Sequence, residues 1–168
     1  MSTPETEPQI PSRLNVSDEF GYWFSGFFDG EGSFTFKHVN QGIVNPGPKI
    51  QLTVRQDDRG VIEYIHGQLA CGRIHFNEYK SEAYKTHQPW VAFRINRIED
   101  LAEVIVPLFE RYPLHTKKAM EFTLFGSLVR SRYRFRGQSI STEEREVYGK
   151  IYAFIDRLRK GDETSTRN

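Results

Sequence analysis

The chain has 168 residues, a hydrophobic fraction of 38% and 13 Phe, enough apolar mass for one packed domain and too much for a disordered or fibrous chain. Charged residues make up 27%, yet the formal net charge is only +1, so the bulk balance announces neither a nucleic-acid nor a membrane partner. The lone Cys71 excludes an internal disulfide and multi-cysteine metal sites, and it suits a reducing compartment.

Residues 1–16 read as a flexible arm, because Pro4, Pro8 and Pro11 break any periodicity, and MSTPETEPQIPSR lacks the apolar core of a secretory signal. No run approaches the roughly 18 apolar residues of a membrane span. The first helix should start at a Ser17 cap and run to about Gly30, with Phe20, Trp23, Phe24, Phe27 and Phe28 forming one apolar stripe. The period then changes to two in GSFTFKH, KIQLTVRQ, GRIHFN and WVAFRIN, which read as four strands. Between the second and third, Val61, Ile62, Ile65 and Leu69 share a helical face behind an Asp cap. Asn96 and Glu99 resemble a capping box for a helix carrying Ile98, Leu101, Val104, Ile105 and Leu108, which Pro107 and Pro113 should interrupt. Helices over about 116–129 and 142–160 follow, the last carrying Val147, Ile151, Ile155 and Leu158. The expected class is α+β with one antiparallel sheet: a single domain over 17–160, followed by a loose tail, 161–168.

Three features carry chemistry. Opposite its apolar stripe, the first helix groups Gly21, Tyr22, Ser25, Gly26, Asp29 and Gly30. Glycine costs up to about 1 kcal/mol against alanine inside a helix, so such a face needs a reason. Small residues four apart admit the backbone of a second helix. The chain offers no other helix of that kind, so the partner expected is a second copy in a two-fold dimer; a frayed helix is the bland alternative.

The second feature is FDGEGSF. Asp29 and Glu31 fall at the C-terminal end of the helix, where the dipole disfavours acids and a cation would relieve the conflict. Glu31, flanked by Gly30 and Gly32, is free to meet a hard metal such as Mg²⁺, and a two-fold axis would bring two such carboxylates together, as two-metal phosphodiester hydrolysis requires. A solvated acid before a helix-ending Gly32 is the alternative. The third feature is the polar side of the strands: Ser33, Thr35, Lys37, Lys49, Gln51, Thr53, Arg55, Arg73, His75, Asn77, Trp90, Arg94 and Asn96, without one acid. These are side chains that reach base edges from a β-surface in the major groove. RSRYRFR, with Arg130, Arg132, Arg134 and Arg136, reads as a phosphate-contacting segment or an ordinary basic loop. His38, His66, His75, His87 and His115 form no metal-ligand spacing, and Cys71 in LACGR reads as core.

The segment FSGFFDGEG, Phe24–Gly32, resembles the motif of the LAGLIDADG homing endonucleases, and the element order, VRQDD and YPLHTKK extend the likeness over about 18–129. That resemblance implies an αββαββα domain with a saddle-shaped sheet, here with an added C-terminal helix. It also implies a homodimer, since the motif occurs once. It makes Glu31 the metal ligand with the Gly30 carbonyl beside it, Gln56 a holder of the water network, and Lys118 or Lys117 the lysine facing the active site. Asp29 would support the helix junction. Mg²⁺ is the expected metal, with Mn²⁺ or Ca²⁺ able to take the same place. The implied partner is double-stranded DNA, cut at a long pseudo-palindromic target to leave 3′ overhangs, with a gene lodged in an intron or intein. The implied location is the cytoplasm or an organelle, wherever that host DNA lies. An RNA-binding intron maturase or a non-catalytic DNA-binding regulator of the same fold is the alternative.

Overall fold

A computed structural model describes residues 9–40, 43–77 and 89–161, with 38–40 and 43–44 at backbone level only. His87, the first half of the expected arm and most of the expected tail lie outside these residues.

Helix α1 (Asp18–Glu31) starts where Ser17 turns extended and its Oγ accepts the Phe20 N–H at 3.2 Å. Asp18 and Glu19 in the first turn complement the dipole. The helix ends at Gly32, which is extended (φ −81°), so no left-handed turn is involved. Glycine is needed there for closeness, since a Cβ would stand 2.3 Å from the Phe28 ring. Phe20, Phe24 and Phe28 are fully buried, whereas Phe27 is half-buried and Trp23 is 39% exposed.

Strands β1 (Gly32–Asn40), β2 (Ile43–Arg55), β3 (Arg73–Asn77) and β4 (Trp90–Ile95) form one antiparallel sheet in the order β1-β2-β4-β3. β2 reaches further back than the alternation suggests, through Pro46 and Pro48. Its pairing with β4 starts only at Ile50, so this stretch has β1 as its sole neighbour. The register shift between Thr35 and Lys37 sets Gly47 and Pro48 against Phe36 alone. An edge and a bulge are the two places where a strand tolerates proline.

The helices cover one face of the sheet. Phe109, from α4 (Val106–Arg111), stands 5.9 Å from Phe24 and 4.9 Å from Phe28, and Phe34 of β1 is 5.0 Å from Phe28. Helix α2 (Arg59–Leu69) buries Ile62, Ile65 and Leu69; Asp58 precedes it but makes no side-chain cap. The expected capping box of Asn96 and Glu99 does not form either, because α3 (Ile98–Asp100) is entered from Arg97, with no side-chain cap. Pro107 does not interrupt. α3 continues through a π-helical turn, Leu101–Ile105, into α4. A π-turn widens the ring and makes room for a proline that would otherwise clash with the carbonyl four residues back.

Helix α5 (Lys118–Arg134) overshoots its expected end, so the first arginines of RSRYRFR are helical. Helix α6 (Thr142–Lys160) starts in a full capping box of Ser141 and Glu144. Its inward face is rotated from the one expected: Tyr148, Tyr152 and Ile155 are buried, while Val147 is 53% exposed. The Arg159 guanidinium bonds both Glu121 and the Phe34 carbonyl, which ties α6 to α5 and β1. Burial pushes the Cys71 thiol up to about 12, which makes it an inert core residue. Among the described residues, no helix is long and apolar enough to cross a membrane.

Candidate active site and nucleic-acid interface

The last carbonyls of a helix lack intrahelical donors. At the α1 tip, Phe28 O takes the Gly32 N–H and Asp29 O takes the Lys118 ammonium at 2.5 Å. The Asp29 carboxylate turns sideways and accepts the His115 N–H at 2.7 Å, the Thr116 hydroxyl at 2.7 Å and the Thr116 N–H at 3.4 Å. Partial burial works to raise its pKa, but these donors and the Lys118 charge outweigh it, and the group sits below the usual carboxylate value. Asp29 is therefore tied into the α1–α5 junction and is not available to a second helix. Glu31, one turn-step further, is exposed at the tip beside the exposed Gly30. Lys118 is brought to this tip; among the described residues, no hydrogen bond ties Lys117 or Gln56 to it. Gln56 opens the short 3₁₀ turn after β2, four residues beyond Leu52, which pairs with Gly32, and its N–H donates to Pro89 O at 3.0 Å.

No group of three or more His, Cys, Asp or Glu converges as a metal cage among the described residues. One exposed carboxylate with the main-chain oxygens of a helix end is an all-oxygen half-site. It fits a hard cation that keeps part of its water shell, and it fits better when a second copy supplies the other half.

The small-residue face of α1 is split. Gly21 lies against Tyr112, whose ring a Cβ would meet at 2.2 Å, and the buried Ser25 Oγ donates to Tyr112 O at 2.6 Å. Tyr112 is itself held by its hydroxyl, which donates to Asp18 at 2.7 Å. Gly21, Ser25 and Asp29 thus act within the chain and do not face a second copy. Sequence reasoning missed this because Tyr112 follows a helix and carries no periodic signal. What remains outward of that face is Tyr22, 64% exposed, with Gly26 and Gly30, where a Cβ would meet nothing, and Trp23 of the apolar stripe is exposed beside them.

The register puts the expected polar residues on one side of the sheet. Ser33 is opposite Gln51, Thr35 opposite Lys49, Gln51 opposite Arg94, Thr53 and His75 opposite Ala92, and Arg55 and Asn77 opposite Trp90. Arg94 Nε donates to Gln51 Oε1 at 2.8 Å and Gln51 Nε2 to Thr53 Oγ1 at 2.9 Å, which fixes the amide's orientation. Arg73 stands directly opposite Arg94. Like charges in that relation repel, and a bound anion removes the conflict. Burial, then Arg94, Arg73 and Lys49, hold the His75 pKa down, and burial and Arg94 do the same for Lys49. Among the described residues, acids enter from the margins: Asp156 of α6 pairs with Lys37 at 3.4 Å and Asp57 with Arg55 at 3.0 Å. Of the basic segment, Arg130 pairs with Glu110, and Arg134 lines a cavity with Ile10 and Val106 within the helical layer. Arg132 lines a cleft at the margin of the sheet beside Lys37 and Lys49, and Arg134 is not among the residues lining it.

Known proteins share this architecture. A probable intron-encoded DNA endonuclease of Mycosarcoma maydis is 28% identical over 123 residues, 70% of this chain and 41% of the relative. A probable intron-encoded endonuclease, Cox1-I1b, of Schizosaccharomyces pombe is 31% identical over 63% of this chain and 26% of its own. The chain thus spans less than half the length of these curated relatives. The crystal structure of the homing endonuclease I-TnaI superposes with a TM-score of 0.65 at 23% identity, covering 83% of this chain and 93% of that one. I-SmaMI bound to cleaved DNA gives 0.69 at 19% identity, covering 94% of this chain and 49% of that one. The family model described as LAGLIDADG endonuclease matches residues 24–129, which hold the C-terminal part of α1, the whole described sheet and the α1–α5 junction. The chain belongs to the LAGLIDADG endonuclease family.

Proposed function

We propose that the chain is a site-specific double-strand DNA endonuclease that acts as a two-fold dimer with divalent metal. The observation that carries this reading is the α1 tip, where an exposed Glu31 and a tethered Lys118 end a helix with an open glycine face, next to a cationic sheet. Two copies packed through Tyr22, Trp23, Gly26 and Gly30 would bring both tips to one axis, with each sheet on one half-site. The likeness to nearly all of I-TnaI but half of the I-SmaMI chain is consistent with pairing two such units. Glu31, with the Gly30 carbonyl, would hold a Mg²⁺ ion, which supplies an acidified water and neutralises charge on the scissile phosphodiester. Lys118 places an ammonium where negative charge grows on the phosphate oxygens as the P–O bond breaks. Gln56 orients solvent, and Lys117 contributes remote charge. Two-fold symmetry implies a pseudo-palindromic target. Cuts leaving 3′ overhangs, a gene in an intron or intein, and action in the compartment of that host DNA complete the reading.

Selection of cleaved duplexes from a randomised library tests it. Mg²⁺-dependent double-strand cuts at one two-fold-related sequence, abolished by EDTA, are the expected result. Sequence-specific binding with no cutting in Mg²⁺ or Mn²⁺ would replace the enzyme by a DNA-binding regulator.

A further inference from the structure

Where β4 gives way to α3, the sheet opens. β2 has no partner on that side before Ile50, and the gap forms a cleft of about 570 Å³ beside residues 46–49. An apolar side chain would seal such a gap over the core. Instead two arginines come up from beneath, Arg132 in the last turn of α5 and Arg136 just past it, and meet Lys37 and Lys49 from the sheet. These four cations come from β1, β2 and the end of α5, and among the described residues no acid lines the cleft. Asp156 satisfies Lys37 at 3.4 Å, which leaves the group strongly positive. Arg136 is anchored, its Nη1 donating to Tyr133 O at 2.6 Å and its guanidinium 4.0 Å over the Tyr133 ring. Arg132 Nη1 is different: it is buried and makes no hydrogen bond. A guanidinium N–H withdrawn from water without a partner carries an uncompensated desolvation cost, and an anion in the cleft would remove it.

We propose that this cleft binds a backbone phosphate of the nucleic acid lying on the sheet, with Arg132 as the central ligand. The identity of the nucleic acid as duplex DNA rests on the endonuclease reading above. A guanidinium matches two phosphate oxygens in its plane, and Lys37 and Lys49 add point charge at the rim. Lys37 is five residues along β1 from Gly32, about 17 Å at about 3.4 Å per residue, so the phosphate held is toward the outer part of a half-site. Such a contact sets the register of the duplex and carries no base information. Lys37 and Lys49 are then phosphate contacts, and base reading falls to Gln51, Arg94, His75 and Asn77.

Fluorescence anisotropy in EDTA, over a range of salt, tests this with Arg132→Gln, Arg132→Lys and Arg136→Gln. Arg132→Gln should bind the target and a scrambled duplex about tenfold more weakly alike, with a log K–log salt slope shallower by about 0.9. The lysine variant should keep most of the slope, and Arg136→Gln, altered at an exposed side chain, should lose part of it. A scan of single methylphosphonates should find one flank position that weakens the parent protein and has no effect on Arg132→Gln. Unchanged affinity and slope in Arg132→Gln, or a loss confined to the target sequence, would overturn the site while leaving the endonuclease reading intact. Failure of the parent protein to bind any duplex would overturn both.

Discussion

Glycine substitutions on α1 should split by sign. A Cβ at Gly26 meets nothing within the chain, so Gly26→Ala should stabilise the isolated subunit by the helix-propensity difference, up to about 1 kcal/mol. For a chain of this length that is a rise of about 2–4 °C in Tm. In the proposed dimer each copy would push its new methyl into the facing backbone. Overpacking of about 1–3 kcal/mol corresponds to association weaker by about fivefold to about 150-fold. Gly21→Ala should behave in the opposite way. Its Cβ would lie 2.2 Å from a Tyr112 ring held through its hydroxyl by Asp18, on a backbone held by Ser25, so the subunit loses about 1–3 kcal/mol or more. Urea melts at concentrations low enough to keep the subunits apart measure the first effect, and sedimentation equilibrium measures the second. A Gly26→Ala protein that dimerises as tightly as the parent would refute a helix-to-helix contact at Gly26. A Gly21→Ala protein of undiminished stability would refute the packing described under α1.

Lys118→Met should slow cleavage at saturating DNA by about a hundredfold or more, the usual scale for one electrostatic group at a transition state, while Lys117→Met should act chiefly on binding. Equal losses in single-turnover rate would deny Lys118 its separate place. Asp29→Asn should lower stability by about 1–2 kcal/mol, since charged acceptance from His115 and Thr116 is lost while an acid is removed from the negative end of a dipole. Because the folded Asp29 pKa lies below its unfolded value, the parent's advantage is full above about pH 4 and disappears as pH falls through the folded pKa. Melting curves of both proteins from pH 2 to 7 check this, and a gap that widens in acid would contradict it. His75 is held below its ordinary pKa by burial and by cations, so phosphates on the sheet should raise it and DNA binding should take up protons below about pH 6.5. Titrations in buffers of different ionisation heat would show this, and its absence in His75→Gln would assign it.

The strands were legible because one face is buried, which imposes a period of two, and the polar side of the register matches the sequence pattern residue by residue. The Ser17 cap and the Phe stripe were legible for the same local reasons. What escaped were decisions made by distant residues. Tyr112 divides the small-residue face of α1, and α6, tied by Arg159 to Glu121 and the Phe34 carbonyl, turns Tyr148 and Tyr152 inward instead of Val147. Pro107 reads as a breaker until a π-turn accommodates it. At the site, the place of Glu31 between glycines at the helix end is legible in the motif, but only the fold shows that Lys118, and not its neighbour, reaches the α1 tip. The four cations of the cleft with Arg132 stand out in the sequence as a polar strand face and a basic segment, but their convergence does not, since they lie on elements that the fold alone brings together.

The central claim is that Glu31 is the carboxylate on which hydrolysis depends. The most direct measurement is the single-turnover rate of Glu31→Gln on a selected target in Mg²⁺, with binding followed on the same duplex. The glutamine is isosteric and exposed, so folding and affinity should be retained while cleavage falls to background. Cleavage at the parent rate by a Glu31→Gln protein that still binds would contradict the account.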